Sequence, residues 1–302
     1  MTRARLLALL KAAFAVLSVG GLVLATVSQW SRVSETVSDV APAEVAVATV
    51  AMCAGTYGSM LVWRAILADL GSPLRVRDAT SVYFVGQLGK YLPGSLWPVV
   101  AQMELGKRHD VPRKTSAVAF VLMTVVNVTS GGLVAAATLP FSAAGDLARY
   151  RYAFLVPALG LVLLHPRVFG AISGAGLRLL RRAPLPRGLS GRGVAVAMGW
   201  SVLPWLAWGL AAAEVGDGAS YALCVGAYAL AWVAGFLVIV VPAGAGVREG
   251  AFVLLVGSAI GAAPALGVAL LLRLLATVAD LVWGLVGFAL SGPVRVRRVT
   301  SG

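Results

Sequence analysis

Six runs of this sequence, about 7–27, 45–67, 116–139, 152–166, 194–213 and 265–290, are apolar over all or most of their length. A helix needs roughly 20 such residues to cross the hydrocarbon core of a bilayer. The run 152–166 is the shortest and its ends are the least defined. Only 12% of the residues are charged and 59% are hydrophobic, whereas ordinary soluble domains carry about 25% charged residues. A soluble fold with so little charge would lack a polar surface, whereas a bilayer solvates apolar side chains directly. The sequence therefore predicts an all-α polytopic membrane protein, with 1–302 as a single membrane domain. The N-terminal MTRARLLALLKAAF starts like a signal peptide, but its apolar run continues to about Val27. That is long for a cleaved leader, so it reads as an uncleaved first span.

Two further apolar stretches are interrupted. Residues 78–106 break at Pro93-Gly94, and residues 220–261 break between Pro242 and Gly246. Proline removes a backbone donor and glycine loosens a helix, so each break stops a helix inside an apolar run. Two half-helices around such a turn enter and leave on one side, as a re-entrant hairpin; the alternative is a kinked span, stronger for 220–241. With both stretches re-entrant and the N-terminus cytoplasmic, 20 of the 25 basic residues fall on the inner side. Arg32, Arg149, Arg151 and Arg248 fall outside, and Arg273 lies within a span. The outer loops carry Glu35, Asp39, Glu44, Glu214 and Asp217. Such a bias obeys the positive-inside rule and places both termini in the cytoplasm of a plasma-membrane protein. The net charge of +13 therefore reads as a topology signal and not as a nucleic-acid surface. The loop 167–192 mixes basic and apolar residues, which fits either a topology-setting loop or a short helix on the anionic leaflet.

The two halves share landmarks. Pro112 precedes Thr124 and Asn127 by 12 and 15 residues, and Pro264 precedes Thr277 and Asp280 by 13 and 16. Residues 1–140 (hairpin 78–106) and 150–292 (hairpin 220–261) thus each read as two spans, a broken hairpin and a final span. Three crossings per half is an odd number, so the second half starts on the other side. About six transmembrane helices and two re-entrant broken hairpins then form an inverted repeat, the arrangement of alternating-access transporters.

Charges inside a membrane cost about 2.5–3.5 kcal/mol each on insertion scales, so they face a cavity or a partner. Arg273 and Asp280 lie two turns apart in the last run, too far for an easy direct pair, and each is expected to meet a group on another segment. In the first break Gln87 and Lys90 stand one turn apart ahead of Pro93-Gly94, a cation beside exposed backbone amides that suits a phosphate head group. The second break supplies Gly244 and Gly246, then Arg248 as a second phosphate ligand. Glu249 sits where a helix dipole favours it. The candidate substrate-binding set is Gln87, Lys90, Pro93, Gly94, Gly244, Gly246 and Arg248. The candidate coupling or gating set is Glu104, Asn127, Glu249, Arg273 and Asp280. Cys53, Cys224, His109 and His165 are scattered, so neither a metal nor another cofactor is expected. No nucleotide-binding loop or nucleophile motif is present.

The runs GQLGKYLPGSLWPVVAQMELGKRHDVPR (86–113) and VPAGAGVREGAF (241–252) resemble the lysylphosphatidylglycerol synthase/flippase transmembrane family. In its two-domain members a membrane flippase part precedes a soluble aminoacyl-transferase domain. With the chain ending at Gly302, the resemblance is to the stand-alone membrane part, which implies that a lipid is moved and not synthesised. Aminoacylated phosphatidylglycerol and polyprenyl-phosphate-linked sugars are equal candidates for the cargo. The leading expectation is a flippase for an anionic lipid or lipid-linked head group, a transporter and not an enzyme. A second reading is an intramembrane lipid-dependent transferase with Glu104, Glu249 or Asp280 as base. A third is an accessory subunit beside a glycosyltransferase or a lipid-synthesis enzyme.

Overall fold

Pro42 opens helix α1 (Pro42–Asp69), at the one place in a helix where a missing N–H is harmless, and the Glu44 carboxylate accepts the Ala41 N–H at 3.0 Å. The structure is a computed structural model; it describes residues 40–91, 97–142, 155–179, 181, 187–237 and 246–291. The elements that follow α1 are α2 (Val76–Gln87) with a 3-10 turn at Leu88–Tyr91, α3 (Trp97–Gly106) and α4 (Arg113–Ser142). Then come α5 (Leu155–Leu164), α6 (Pro166–Leu179), α7 (Gly191–Val215), α8 (Tyr221–Leu237), α9 (Val247–Ile260) and α10 (Ala262–Leu290). The described residues contain no strand.

Helices α1, α4, α7 and α10 are each long and apolar enough to cross a membrane. They fall on the expected crossings at 45–67, 116–139, 194–213 and 265–290. The fourth expected crossing, 152–166, holds the ten-residue α5, which bends by 74° into α6. Ten residues rise only about 15 Å, half the thickness of a hydrocarbon core, so α5 spans only if the bent pair counts as one. Helix α8 is apolar but has 17 residues. The expected crossing at 7–27 lies outside the described residues, as do Pro93, Gly94 and Gly244. Large apolar side chains such as Val50, Leu159, Leu254 and Leu285 are exposed. Such breadth of exposed apolar surface is a lipid-facing one.

Lipid tails are as apolar as leucine, so close backbone approach decides which helices pair. Gly55 and Gly58 of α1 face Trp208 and Pro204 of α7. At the other end Asp69 accepts from the Ser190 N–H at 2.7 Å and the Ser190 hydroxyl at 2.6 Å. The same Ser190 Oγ caps α7 by accepting the Gly193 N–H at 2.9 Å. These contacts rise along α1 as they fall along α7, so the two helices are antiparallel. In the same way Val85 of α2 and Leu88 just after it meet Gly287 and Gly284 of α10, and Leu139 and Gly131 of α4 meet Gly226 and Val233 of α8. Both of those pairs are antiparallel too. Gly89 and Gly86 of the first broken stretch meet Pro98 and Gln102 of α3, so the chain doubles back there.

Taken in order, α1 to α4 correspond to α7 to α10. The neighbours respect that correspondence. Helix α1 packs on α4 and α10, and α7 on α10 and α4; α2 packs on α10, and α8 on α4; α3 packs on α4, and α9 on α10. The apolar core is in two clusters. One joins α7, α8, α9 and α10 to the start of α1 and the end of α4, and the other joins α1, α2 and α4 to Leu164, Phe169 and the start of α7. On α10 the boundary falls between Ala279 and Trp283, which brackets Asp280.

Candidate functional site

The last helix carries the centre of the site. Asp280, buried on α10, pairs with Lys90 Nζ at 2.6 Å, and the Tyr91 hydroxyl donates to the same carboxylate oxygen. Both partners come from the 3-10 turn that ends the first arm of the first broken stretch. That arm is held on α10 by the glycines at 284 and 287, so the turn lies where Asp280 can reach it. Lys90 Nζ also stands 5.5 Å from the centre of the Tyr91 ring, within the range of a cation–π contact.

Two turns earlier, about 10 Å along the helix axis, Arg273 Nη1 pairs with Glu249 Oε1 at 2.6 Å. Glu249 is the third residue of α9, and its other oxygen accepts the Gly246 N–H at 2.6 Å. One carboxylate thus closes the first turn of α9 and binds a cation from α10. Gly246 has φ +82, a left-handed conformation that glycine takes without strain, and this lets its N–H turn back to Glu249. Arg248 points the other way. Its Nη2 lies 3.4 Å from the Tyr228 hydroxyl and its guanidinium 5.8 Å from the ring centre. Its stem packs on Gly235 of α8.

The two clusters form one polar region. The Tyr91 hydroxyl also reaches Thr277, and Arg273 acts on it electrostatically. Tyr228 lies within electrostatic reach of Arg248, Asp280 and Glu249. Three cations, Lys90, Arg248 and Arg273, stand against two carboxylates, which leaves one positive charge in excess. The burial is uneven in the same sense at both ion pairs. The side chain of Asp280 is 8% exposed against 41% for Lys90, and that of Glu249 is 10% exposed against 40% for Arg273. Each carboxylate is therefore enclosed, while each cation is partly exposed and has donors that no described residue takes.

The structure brings Lys90, Arg248, Glu249, Arg273 and Asp280 together, with Gly246 beside them. Gln87 ends α2 one turn before Lys90, and its side chain lies near the Tyr83 hydroxyl. Glu104 is elsewhere: its carboxylate accepts from Nε and Nη2 of Arg113, each at 2.8 Å, on an exposed surface between α3 and α4. Asn127 lies in α4, and no hydrogen bond joins its side chain to the other candidates; its carbonyl accepts from Ser130. Sequence reasoning missed Tyr91 and Tyr228. Tyr91 adjoins Lys90 and carried a signal by position alone. Tyr228 is 20 residues from Arg248 and carried none. No group of three or more metal-ligating side chains occurs among the described residues.

A family model described as the lysylphosphatidylglycerol synthase TM region matches residues 9–284. No curated protein matches the chain.

Proposed function

Because this chain belongs to the family of the lysylphosphatidylglycerol synthase TM region, membrane proteins tied to lipid metabolism or transport, we propose that it moves a lipid with an anionic head group between leaflets. The observation that carries this reading is the pair of half-open cations. Lys90 and Arg273 are each fixed by a buried carboxylate, are each partly exposed, and have donors that no described residue takes. With Arg248 they leave one net positive charge, the complement of a phosphodiester. A head group that takes those donors loosens the grip of Asp280 on Lys90 or of Glu249 on Arg273. Lys90 comes from the first broken stretch and Glu249 from the second, so each loosening frees one of them from α10.

The inverted repeat supports the same reading. Counterpart helices α1 and α7 are antiparallel neighbours, and an axis that exchanges antiparallel neighbours lies across them, in the plane of the membrane. One broken stretch then opens to each side. Gly246 and the backbone amides at the breaks join Lys90 and Arg248 in holding the head group, and Arg273, Asp280 and Glu249 act as the gate.

The test is leaflet exchange in proteoliposomes with fluorescent phosphatidylglycerol, phosphatidylcholine and a polyprenyl phosphate. Exchange of the anionic probes should exceed that in empty vesicles, and Lys90→Met and Arg248→Met should each slow it about tenfold. No acceleration with any anionic probe overturns the proposal.

A further inference from the structure

Among the described residues, helix α6 is nearly bare of protein. The described helix it packs on is α5. Phe169 is its one buried side chain and, with Leu164, joins the core cluster of α1, α2 and α4. A Cβ added at Gly170, Gly174 or Gly176 would meet nothing within 4 Å. Each of those glycines also weakens a helix relative to alanine, so packing within the protein does not account for the helix.

Its sequence supplies the missing partner. Val168, Ile172, Ala175 and Leu179 recur at intervals of four, three and four residues, which aligns them in one apolar stripe. Ile172 is 54% exposed and Leu179 is 85% exposed. Arg167 and Arg178 are three turns apart on a second stripe, about 100° away at 100° per residue, and both are exposed. Neither forms an ion pair with a described carboxylate. Helix α5, whose Leu155, Leu159 and Val162 are exposed, turns by 74° into α6. With α5 along the bilayer normal, such a turn lays α6 almost in the membrane plane, with apolar side chains on one flank and arginines on another.

We propose that α6 is an interfacial helix that seats on an anionic membrane surface. Val168, Ile172, Ala175 and Leu179 enter the acyl boundary, while Arg167 and Arg178 meet lipid phosphates. The occupant is the bilayer itself, on the leaflet that faces the loop between α6 and α7. Phe169 pins the start of the helix to the bundle, so the surface is read at a fixed place beside the end of α5.

Single cysteines at Ile172→Cys, Ala175→Cys and Gly174→Cys, in full-length protein carrying Cys53→Ala and Cys224→Ala, are spin-labelled in phosphatidylcholine vesicles with about a third phosphatidylglycerol. Labels at 172 and 175 should be reached by oxygen, which partitions into lipid. The label at 174 should be reached by a water-soluble nickel chelate. Arg167→Gln with Arg178→Gln, or omission of phosphatidylglycerol, should raise chelate access at 172 at least twofold. Equal chelate access at all three sites overturns the proposal. So does shielding of 172 and 175 from both reagents, which would mean that protein, such as a second copy of the chain, covers the stripe.

Discussion

The uneven burial of the Lys90–Asp280 pair predicts unequal consequences for its two members. Replacing Lys90 with methionine leaves a carboxylate in an enclosed site with only the Tyr91 hydroxyl to support it. Breaking a fully buried pair costs about 3–5 kcal/mol, and the 41% exposure of Lys90 lowers that toward about 2 kcal/mol. Replacing Asp280 with asparagine keeps an acceptor for Tyr91 and leaves a lysine long enough to reach a wetter position, at a cost below about 1 kcal/mol. Lys90→Met should therefore lower the thermal unfolding midpoint in detergent, read by tryptophan fluorescence, more than Asp280→Asn does. The reverse order would mean that the carboxylate is not the enclosed member. Arg273→Met should sit between them, because Glu249 keeps the Gly246 N–H and the helix dipole when its cation is lost. At this scale the sequence was informative where a residue contradicts its surroundings. Arg273 and Asp280 stand out in an apolar run. Glu104 stands out equally, and only the placement of Arg113 beside it separates a surface clip from a buried charge. Tyr91 and Tyr228 suit an apolar helix as well as any aromatic residue does, so nothing local marks them as partners of charge.

Glycines divide the helices into those held by protein and those that are not. A methyl group at Gly89 would come within 2.9 Å of backbone atoms at Trp97 and Pro98, which cannot yield without parting the two arms of the first broken stretch. Gly89→Ala should therefore destabilise the protein by about 1–3 kcal/mol, the usual cost of overpacking, and should disturb Lys90 next to it. Gly174→Ala on α6 meets open space and should stabilise the helix by about 1 kcal/mol at most. Measured side by side by thermal unfolding, the two substitutions should move the midpoint in opposite directions. Proline and glycine punctuation made the broken stretches readable from the chain, and four of the crossings follow from length and hydropathy alone. The bend after α5 was less readable. Pro166 can begin a helix as readily as end one, so the run 152–166 gave no sign that its continuation leaves the direction of the span.

The matching offsets after Pro112 and Pro264 point to a relation between the halves, because a repeat fixes spacing even where residue identity drifts. The offsets give no direction; the odd number of crossings gives one only if both broken stretches are re-entrant. The packing supplies an independent line, since α1 and α7 are antiparallel neighbours tied at Asp69 and Ser190. Both helices are long enough to cross, so the loop after α1 and the loop after α7 must emerge on opposite faces. On the positive-inside rule, Ser72, near Arg75 and Arg77, is expected on the cytoplasmic face and Asp217, in an acidic loop, outside. Cysteines placed by Ser72→Cys and Asp217→Cys, each without Cys53 and Cys224, test this with a membrane-impermeant thiol reagent. Asp217→Cys should label in intact cells and Ser72→Cys only after the membrane is opened. Labelling of both from one side would make the halves parallel, and the two broken stretches would then open to the same compartment. The same result would remove the alternating opening of the two broken stretches on which the proposed lipid exchange rests.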